Sequence, residues 1–477
     1  MSTPPELEAV IGLEVHVQLA TTTKMFCGCP LSFGDPPNVH TCPVCLALPG
    51  ALPVLNAEAV HYGVMVGLAL GCDITERSIF ARKQYFYPDN PKAYQISQYE
   101  TPLCTGGRLG AVRIHRVHLE EDAAKLLHIG HSGRIHGADA SIVDFNRGGT
   151  PLVEIVTEPD VRSAAQAREW LTLLRETLRQ LGVSDVNMEE GSLRCDANVS
   201  IRPAGSDVLG TKTELKNMNS FRYIERGVEA EIARQIALVE SGGEVQQETL
   251  HYDVATGAIS SLRSKEEAHD YRYFPEPDLV PVVVDEAMIA AARAELPELP
   301  AQRAERYERE LGLSPASARQ LAFRADLAAY FERALAADPQ HPQALANWIT
   351  GELVARIGDA DPTASKVEPA ALAQLVALLR AKSITPGAAK QVLDTLVAQG
   401  GDPQTIVAAE GLGAIGDGDE LAEVVQRALA SDPDAAEKLK SGNMKAIGPI
   451  VGFVMRETKG RADGGEVTRL VREQLGL

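Results

Sequence analysis

The sequence predicts an α+β protein in which a large antiparallel sheet occupies the N-terminal part of the chain and helices occupy the rest. Residues 11–19 alternate strictly between apolar and polar side chains, which is the period of a strand with one buried face. The same alternation returns at residues 193–201 and 212–216. From about residue 286 onward, Ala, Leu, Glu and Arg recur at helical spacing. We therefore expect an open sheet with one apolar and one charged face, followed by helical domains.

The length of the chain, 477 residues, accommodates about three domains at roughly 150 residues each. The change of composition places the first boundary near residue 286, and the stretch 361–366 has the composition of a linker. We predict a sheet domain at residues 1–285, a helical middle domain at 286–360 and a smaller helical domain at 361–477.

Charge and hydropathy exclude two broad classes of protein. The formal net charge of −19 argues against a protein that coats nucleic acid, because phosphate binding needs clustered Lys and Arg. The sequence has no run of about 18 apolar residues to span a bilayer, and its acidic start lacks the apolar core of a signal peptide. We therefore expect a cytoplasmic protein.

The end of this acidic chain is locally basic. Residues 438–477 contain eight Lys or Arg against four Asp or Glu, so this segment could contact phosphates although the whole chain is acidic. The first six of these basic residues are Lys438, Lys440, Lys445, Arg456, Lys459 and Arg461.

Four of the seven cysteines are crowded near the start of the chain, in two short pairs. Cys27 and Cys29 form the first pair, and Cys42 and Cys45 form the second. In a cytoplasmic protein such spacing favours a closed tetrahedral zinc site over disulfides, with free cysteines as the alternative. The other three cysteines show no nucleophile signature, and we expect them to be buried packing thiols.

The polar side of the first predicted strand carries Glu14 and His16, roughly 7 Å apart along the strand at about 3.4 Å per residue. That separation would let both side chains share one divalent ion. An ordinary solvated sheet face would show the same alternation. The mixture of Glu, His, Arg, Asp, Lys and Asn on the related strands suits a metal ion and anions better than water alone.

Three later stretches contain aromatic, charged or glycine residues of the types found in binding sites. Residues 83–92 place three aromatics between two lysines, which could stack bases and hold phosphates or could close a strand edge at a Pro-Asp-Asn-Pro turn. Residues 118–122 form an acidic cluster of the kind that is usually solvated. The Gly148-Gly149 pair would let backbone N–H groups approach an anion closely.

The P-loop and the nucleophile elbow of serine hydrolases are absent from the sequence, and the one match to the dinucleotide-binding fingerprint lies in the wrong structural context. The sequence contains neither a Gly-x4-Gly-Lys-Ser/Thr loop nor a Gly-x-Ser-x-Gly elbow. Residues 411–416 match the dinucleotide fingerprint by their letters, but they follow a predicted helix rather than a strand. We therefore do not expect a P-loop, an NAD site or a serine hydrolase.

Taken in order, the motifs of the chain resemble the GatB subunit of the GatCAB tRNA-dependent amidotransferases, over essentially the whole length. The N-terminal motifs lie at residues 11–18, 26–30, 42–45, 83–89, 118–123, 144–154, 191–200 and 214–221. The C-terminal part, including residues 382–387 and 448–452, is similar to the helical tail domain that these proteins share with the YqeY family. The number of ordered motifs makes the resemblance specific.

The resemblance implies a glutamine-synthetase-like cradle domain at residues 1–285, a helical linker domain at 286–360 and a tRNA-binding tail domain at 361–477. It also implies that ATP phosphorylates the side-chain carboxylate of Glu-tRNA(Gln), Asp-tRNA(Asn) or both, and that ammonia then displaces phosphate. Mg²⁺ and structural Zn²⁺ are the implied metals. The implied partners are the amidase GatA, which hydrolyses glutamine, the small protein GatC, and the misacylated tRNA.

The resemblance also assigns site residues, each by its position in a matching motif. Mg²⁺ is placed on Glu14 and His16, with Glu120 or Glu121 completing its ligands. The four cysteines are placed on zinc, and the six basic residues between 438 and 461 on tRNA. The residues assigned to the catalytic pocket are Lys83, Tyr85, Asn146, Arg147, Glu154, Arg194, Asp196, Lys212, Glu214 and Lys216.

Two other functions fit the same residues. One is a non-catalytic, zinc-stabilised scaffold whose polar sheet face grips the tRNA acceptor stem. The other is a stand-alone carboxylate–amine ligase that uses free ammonia on a small molecule. The helical tail favours tRNA over a small substrate.

Overall fold

The computed structural model describes residues 6–130, 138–216, 218–254, 256–264, 271–358, 360–415, 418–458 and 460–477. The chain divides into two compact units, residues 1–299 and 300–477. The first is a mixed unit built on a large sheet, and the second is helical. The predicted α+β class is therefore confirmed in its coarse form.

The first unit contains seventeen described strands and four helices. The strands are β1 Leu7–Gln18, β2 Asp73–Ile74, β3 Arg77–Ser78, β4 Ala81–Gln84, β5 Tyr94–Ser97, β6 Cys104–Thr105, β7 Arg108–Leu109, β8 Val112–Glu121, β9 Lys125–Ile129, β10 Ala140–Asp144, β11 Pro151–Thr157, β12 Leu193–Pro203, β13 Thr213–Lys216, β14 Glu248–Tyr252, β15 Ile259–Ser264, β16 Phe274–Pro275 and β17 Val282–Val283. The helices are α1 Ala57–Ala69, α2 Ala164–Leu181, α3 Phe221–Glu240 and α4 Glu286–Glu295.

The main sheet has β1 near its centre. Within the described residues its strand order is β15-β14-β13-β12-β1-β11-β8-β6-β2, with β7 paired to β8. Strand β1 is antiparallel to both of its neighbours, β11 and β12. The pair β13–β14 is parallel, because the long helix α3 connects these strands and returns the chain in the same direction.

The sheet has one apolar and one polar face, as the alternation in β1 predicts. Ile11, Leu13, Val15 and Val17 are fully buried. Helix α1 packs against β8, and helix α3 packs against β12. Burial of each large aliphatic side chain contributes about 1.5–3 kcal/mol. Because side chains alternate along a strand, burial of the apolar set on one face places the alternate, polar set of each strand on the opposite face.

Helix α2 begins at Ser163, whose hydroxyl accepts a hydrogen bond from the backbone N–H of Gln166. Its Trp170 is buried and donates from Nε1 to the carbonyl of Leu109 at 3.0 Å. Asp160, which precedes this helix, accepts two hydrogen bonds from the guanidinium of Arg113 and one from the backbone N–H of the same residue.

The second unit contains twelve α-helices in its described part. They are α5 Pro300–Leu311, α6 Pro315–Ala322, α7 Ala325–Ala337, α8 Pro342–Asn347, α9 Val354–Ile357, α10 Pro369–Arg380, α11 Pro386–Gln399, α12 Pro403–Glu410, α13 Gly418–Ser431, α14 Pro433–Lys440, α15 Ile447–Glu457 and α16 Gly464–Leu475. A π-helix at Trp348–Leu353 and 3-10 helices at Pro362–Ala364 and Met444–Ala446 complete the described elements.

Two hydrophobic cores hold the second unit together. The first includes Phe331 and Leu345 as well as Leu372 and Leu393, so it continues across residue 360. The second is formed by residues 421–471. The three-part division at 285 and 360 stays a prediction, and α4 belongs with the first unit, where it packs on α1.

A transmembrane helix is not found in the part of the chain that the structure describes, since every helix there is too short or too polar to cross a bilayer.

Candidate active site

The polar face of the main sheet brings residues together from strands that are far apart in the sequence. In the antiparallel register, His16 lies between Arg194 on β12 and Glu154 on β11. Glu154 in turn lies opposite His118 on β8. Directly opposed residues of antiparallel strands point to the same face, so these four side chains share one surface.

Two of these side chains, His16 and Glu154, form a compact cluster with Glu120 of β8. His16 Nε2 lies 3.6 Å from Glu120 Oε1 and 3.4 Å from Glu154 Oε2. The three candidate ligand atoms all lie within 4.8 Å of one another, and both carboxylates are buried. Two carboxylates and an imidazole can bind a divalent cation, because the ion compensates the charge that burial makes unfavourable.

The cluster is strongly coupled electrostatically. Burial acts to lower the pKa of His16, but the carboxylates of Glu154 and Glu120 outweigh it and raise the pKa to about 9. Burial acts to raise the pKa of Glu154, but the neighbouring His118 and His16 hold it well below its usual range. His118 Nε2 lies 3.1 Å from Glu154 Oε2. It therefore supports this carboxylate from the side opposite His16.

Two of the four predicted Mg²⁺ ligands lie outside the cluster. Glu14 accepts a hydrogen bond from Asn198 Nδ2 at 2.8 Å and lines a separate cavity that also contains the exposed Lys212. Glu121 accepts the backbone N–H of Ile96 and pairs with Lys92. The structure thus brings His16 and Glu120 together, with Glu154 as the third group rather than Glu14 or Glu121.

A cavity of about 310 Å³ opens beside the cluster. Glu120 and His16 line one part of it, and the cations Lys83, Arg194 and Lys216 line other parts. Further lining residues are Tyr85, Asp89, Lys92, Glu121, Asp122, Gly148, Gly149, Asp196 and Tyr271. The cavity therefore combines a site for a cation with several groups that can bind anions.

Each cation of the cavity is held by a defined partner. Lys216 Nζ lies 2.6 Å from Asp196 Oδ2 and 3.0 Å from Glu214 Oε1. Burial acts to lower the pKa of Lys216, but these two carboxylates raise it above its ordinary value. Lys83 Nζ lies 4.8 Å from the centre of the Tyr271 ring. Burial acts to lower the pKa of Lys83, but the charges of Glu120 and Glu154, together with the nearby tyrosines, outweigh it and raise the pKa above its ordinary value. Both lysines therefore stay charged.

Asp122 is a cavity residue that the sequence analysis did not assign. Its Oδ2 accepts hydrogen bonds from Arg194 Nη2 at 2.8 Å and Gln18 Nε2 at 2.9 Å. Arg147 Nε lies 3.7 Å from the same oxygen. Burial acts to raise the pKa of Asp122, but the two arginines lower it, so the carboxylate stays ionised and positions both.

Arg147 and Asn146 belong to the turn before β11. Arg147 donates from Nε and Nη2 to the carbonyls of Ala123 and Ala124. Asn146 points to the segment between the two cysteine pairs, since its side chain accepts the backbone N–H of His40 and donates to the carbonyl of Pro36, both at 2.8 Å. Asn146 is therefore not among the residues that line the 310 Å³ cavity.

The four predicted cysteines come together. The sulfur atoms of Cys27, Cys29, Cys42 and Cys45 all lie within 4.8 Å of one another. A hydrogen bond from the Cys27 thiol lowers the pKa of Cys45 to about 4, and the same contact raises the pKa of Cys27. Four convergent thiols, one of them already acidic, are the donor set that a structural zinc ion requires, so these residues fit that metal.

The basic residues of the C-terminal segment are distributed over three short elements. Lys438 and Lys440 lie in the last turn of α14, Lys445 lies in a 3-10 helix, and Arg456 lies in the last turn of α15. These four side chains are exposed, whereas Arg461 is half-buried and donates from Nε to the carbonyl of Thr458. Lys459 lies outside the described residues.

Comparison with known proteins matches both parts of the chain. Residues 9–290 match the family model described as the GatB/GatE catalytic domain, and residues 329–475 match the model described as the GatB domain.

Several curated proteins are similar over nearly the whole chain. One from Anaeromyxobacter sp. (strain K) is 50% identical and covers 99% of both chains, and one from Persephonella marina is 46% identical over 98% of this chain and all of its own. One from Carboxydothermus hydrogenoformans is 48% identical over 98% of this chain and 99% of its own. Each of the three is named as the B subunit of an aspartyl/glutamyl-tRNA(Asn/Gln) amidotransferase.

Proposed function

The chain belongs to the GatB family, the B subunits of aspartyl/glutamyl-tRNA(Asn/Gln) amidotransferases, and from that premise we propose that it carries the carboxylate-activating site of a tRNA-dependent amidotransferase. The substrate is Glu-tRNA(Gln), Asp-tRNA(Asn) or both. Its side-chain carboxylate becomes an amide, with ATP as the source of energy.

One observation carries this proposal: the imidazole of His16 and the carboxylates of Glu120 and Glu154 converge at the edge of a cavity that is also lined by Lys83, Arg194 and Lys216. A carboxylate resists attack by ammonia because it has no good leaving group. Phosphoryl transfer to that carboxylate needs positioned charges more than covalent help from the protein. The residues that line the cavity offer such charges around one space.

The proposed chemistry has two steps. A side-chain carboxylate oxygen attacks the γ-phosphorus of ATP, the bond from that phosphorus to the β–γ bridging oxygen breaks, and ADP leaves. Ammonia then attacks the carbonyl carbon of the acyl phosphate. The C–O bond to phosphate breaks, a proton leaves the nitrogen, and the amide and inorganic phosphate are released.

The residues of the chain have separate roles in this proposal. His16, Glu120 and Glu154 would hold Mg²⁺, which when bound supplies positive charge for the phosphate oxygens. Lys83, Arg194 and Lys216 bind anionic oxygens of the nucleotide and the substrate. Asp122 orients Arg194 and Arg147, and Tyr85 and Tyr271 close the side of the cavity. Glu14 and Lys212 contribute to the neighbouring cavity.

The proposed nitrogen source is a second protein of the complex. Free ammonia at neutral pH is mostly ammonium, which cannot act as a nucleophile. We infer that the amidase GatA releases ammonia from glutamine and that the small protein GatC completes the complex. The zinc centre stabilises the loop beside the cavity, and the basic surface after residue 438 contacts the phosphates of tRNA. The sheet unit would act as a glutamine-synthetase-like cradle.

An isotope experiment tests the first step. The reconstituted three-subunit complex is supplied with ATP and with Glu-tRNA(Gln) or Asp-tRNA(Asn) whose side-chain carboxylate carries ¹⁸O. Transfer of one ¹⁸O to inorganic phosphate is expected, because the attacking oxygen stays with phosphorus when ammonia displaces phosphate. Appearance of the label in AMP would indicate an acyl adenylate instead, and amidation without any transfer would contradict carboxylate activation.

A second measurement distinguishes the proposed catalytic function from that of a non-catalytic tRNA-binding scaffold. His16→Ala should abolish the transfer of label but leave binding of the misacylated tRNA unchanged. A scaffold predicts full amidation by the same variant.

A further inference from the structure

Lys24 is a buried charge that the proposed reaction does not use. Its side chain is only 1% exposed, and it follows β1 in the short segment before the first cysteine pair. Its Nζ donates to the carbonyls of His40 at 2.8 Å and Phe145 at 3.0 Å. Within the described chain no carboxylate pairs with this ammonium group. A buried lysine without a carboxylate is unfavourable unless other groups compensate its charge.

The four-cysteine centre can provide that compensation. Zn²⁺ with four thiolates carries two net negative charges, and the backbone N–H of Lys24 donates to the carbonyl of Cys29, one of the four cysteines, at 3.0 Å. Gly149 brings Lys24 and Cys45 close together: a Cβ atom at Gly149 would lie 3.4 Å from Lys24 Cδ and 3.9 Å from Cys45 Cβ. The stem of Lys24 and the side chain of Cys45 therefore border the same space beside one glycine of the cavity wall.

The loop between the cysteine pairs is also joined to the turn that forms this wall. We call residues 27–45 the cysteine loop and residues 145–149 the cavity turn. Asn38 accepts the backbone N–H of Phe145 at 2.7 Å, and Asn146 bonds to His40 and Pro36 in the cysteine loop. Lys24 adds two more bonds, one to each segment. Gly148 and Gly149 of the cavity turn line the 310 Å³ cavity.

We propose that Lys24 is a positioning residue that couples the four-cysteine centre to the catalytic cavity. Its ammonium group balances the negative charge of the zinc-loaded cysteines and at the same time holds the cysteine loop against the cavity turn. Loss of zinc or of Lys24 therefore loosens the same wall of the cavity. The catalytic consequence rests on the proposed amidotransferase function, whereas the coupling itself does not.

Two substitutions separate the charge from the hydrogen bonds. Lys24→Gln removes the charge but keeps N–H donors, and Lys24→Met removes both. The matched control is Lys366→Met, because Lys366 also donates from Nζ to a backbone carbonyl, that of Ala398, within the helical unit. All variants are made in the full-length, zinc-loaded chain.

The first readout is the rate at which zinc passes to a chromophoric chelator. Both Lys24 variants should release zinc about tenfold faster or more, since changes next to metal ligands typically have effects of this size. The second readout is hydrogen–deuterium exchange of residues 143–150, which should rise in both variants and in the wild-type chain stripped of zinc. The Lys366 control should match the wild type in both readouts.

Unchanged zinc release in both Lys24 variants would overturn the charge balance. Faster release with unchanged exchange of residues 143–150 would overturn the coupling. Because Lys24→Met leaves two carbonyls without a donor, the folding of this variant is checked by circular dichroism. If Lys24→Met does not fold, Lys24→Gln alone decides the result.

The rate of amidation by the reconstituted complex should fall in those variants in which hydrogen–deuterium exchange of residues 143–150 rises. If the wild-type complex does not amidate, the proposed function fails, while zinc release and exchange still decide the coupling.

Discussion

His16 and Glu154 face each other on neighbouring antiparallel strands, with 3.4 Å between His16 Nε2 and Glu154 Oε2. Glu120 approaches the same imidazole from β8, on the other side of β11. The three groups are thus held by the register of three strands and not by loops. Sites built on regular elements keep their geometry before a ligand arrives, which suits a reaction that depends on positioned charge.

Glu154→Gln should lower the rate of amidation by about 100-fold or more, because the neutral amide removes a charge that both His16 and a bound cation require. Binding of misacylated tRNA should stay within about twofold of the wild type, since the side chain is buried and distant from the basic tail in sequence. The measurements are kcat at saturating ATP and tRNA affinity by filter binding.

The matched control for this prediction is Glu158→Gln. Glu158 also pairs with a histidine, at 2.9 Å from His115 Nδ1, but this pair lies on the surface beyond the end of β11. Its kcat should equal that of the wild type. Retention of wild-type activity by Glu154→Gln would remove the cluster from the mechanism.

Asp122→Asn should destabilise the first unit and impair the reaction together. The carboxylate joins Arg194, Arg147 and Gln18, and hydrogen bonds to charged groups contribute about 1.5–3 kcal/mol each in comparable proteins. We expect the free energy of unfolding to fall by about 2 kcal/mol and kcat/KM to fall by about tenfold. Urea unfolding and steady-state kinetics measure the two effects.

Asp160→Asn is the corresponding control outside the cavity. Asp160 also accepts several hydrogen bonds from an arginine, Arg113, but that guanidinium is more than half exposed. Exposed pairs contribute about 0–1 kcal/mol, so its effect should be smaller and confined to stability. Equal effects of the two variants on kcat/KM would contradict the positioning role of Asp122.

The sequence alone predicts the first strand, its polar face and the cysteine cluster, because each depends on short spacings. It cannot predict which carboxylate meets His16, because that depends on the register of β11 and β8 against β1. Glu14 shares the polar face with His16, as the period of two requires, yet its neighbour across the sheet is Asp196, and Asn198 donates to its carboxylate. Which carboxylates lie next to His16 is thus determined by the pairing of strands that are far apart in the sequence.

Asp122 and Lys24 were not predicted from the sequence, and they differ in whether a sequence pattern could have identified them. Asp122 continues the alternation of His118 and Glu120, so extending that period by one step would have placed it on the polar face. Lys24 gave no signal, because a lysine is expected to be exposed unless contacts that only the fold creates bury it.

Cys45→Ser should abolish the zinc content of the purified protein. A site closed by four cysteines binds about one zinc per chain, and one missing thiolate leaves an incomplete tetrahedron. Cys72→Ala is the control, since Cys72 is buried away from the cluster and should leave the zinc content unchanged. Elemental analysis of both variants measures the metal. Full zinc content in Cys45→Ser would place the ion elsewhere.

The basic residues after α13 should act on tRNA affinity and not on chemistry. Replacing Lys438, Lys440 and Lys445 by Gln removes three exposed charges from one short segment. If each contacts a phosphate, the slope of log K against log salt should decrease by about two to three, at about 0.7–0.9 per contact. KM for tRNA should rise while kcat at saturating tRNA stays unchanged, because the activating cavity is intact.

The control for this prediction replaces two lysines of the helical unit that already have partners. Lys366 donates to the carbonyl of Ala398, and Lys390 pairs with Glu352. An equal loss of slope in that control would mean that net charge, and not the segment at 438–445, determines tRNA binding.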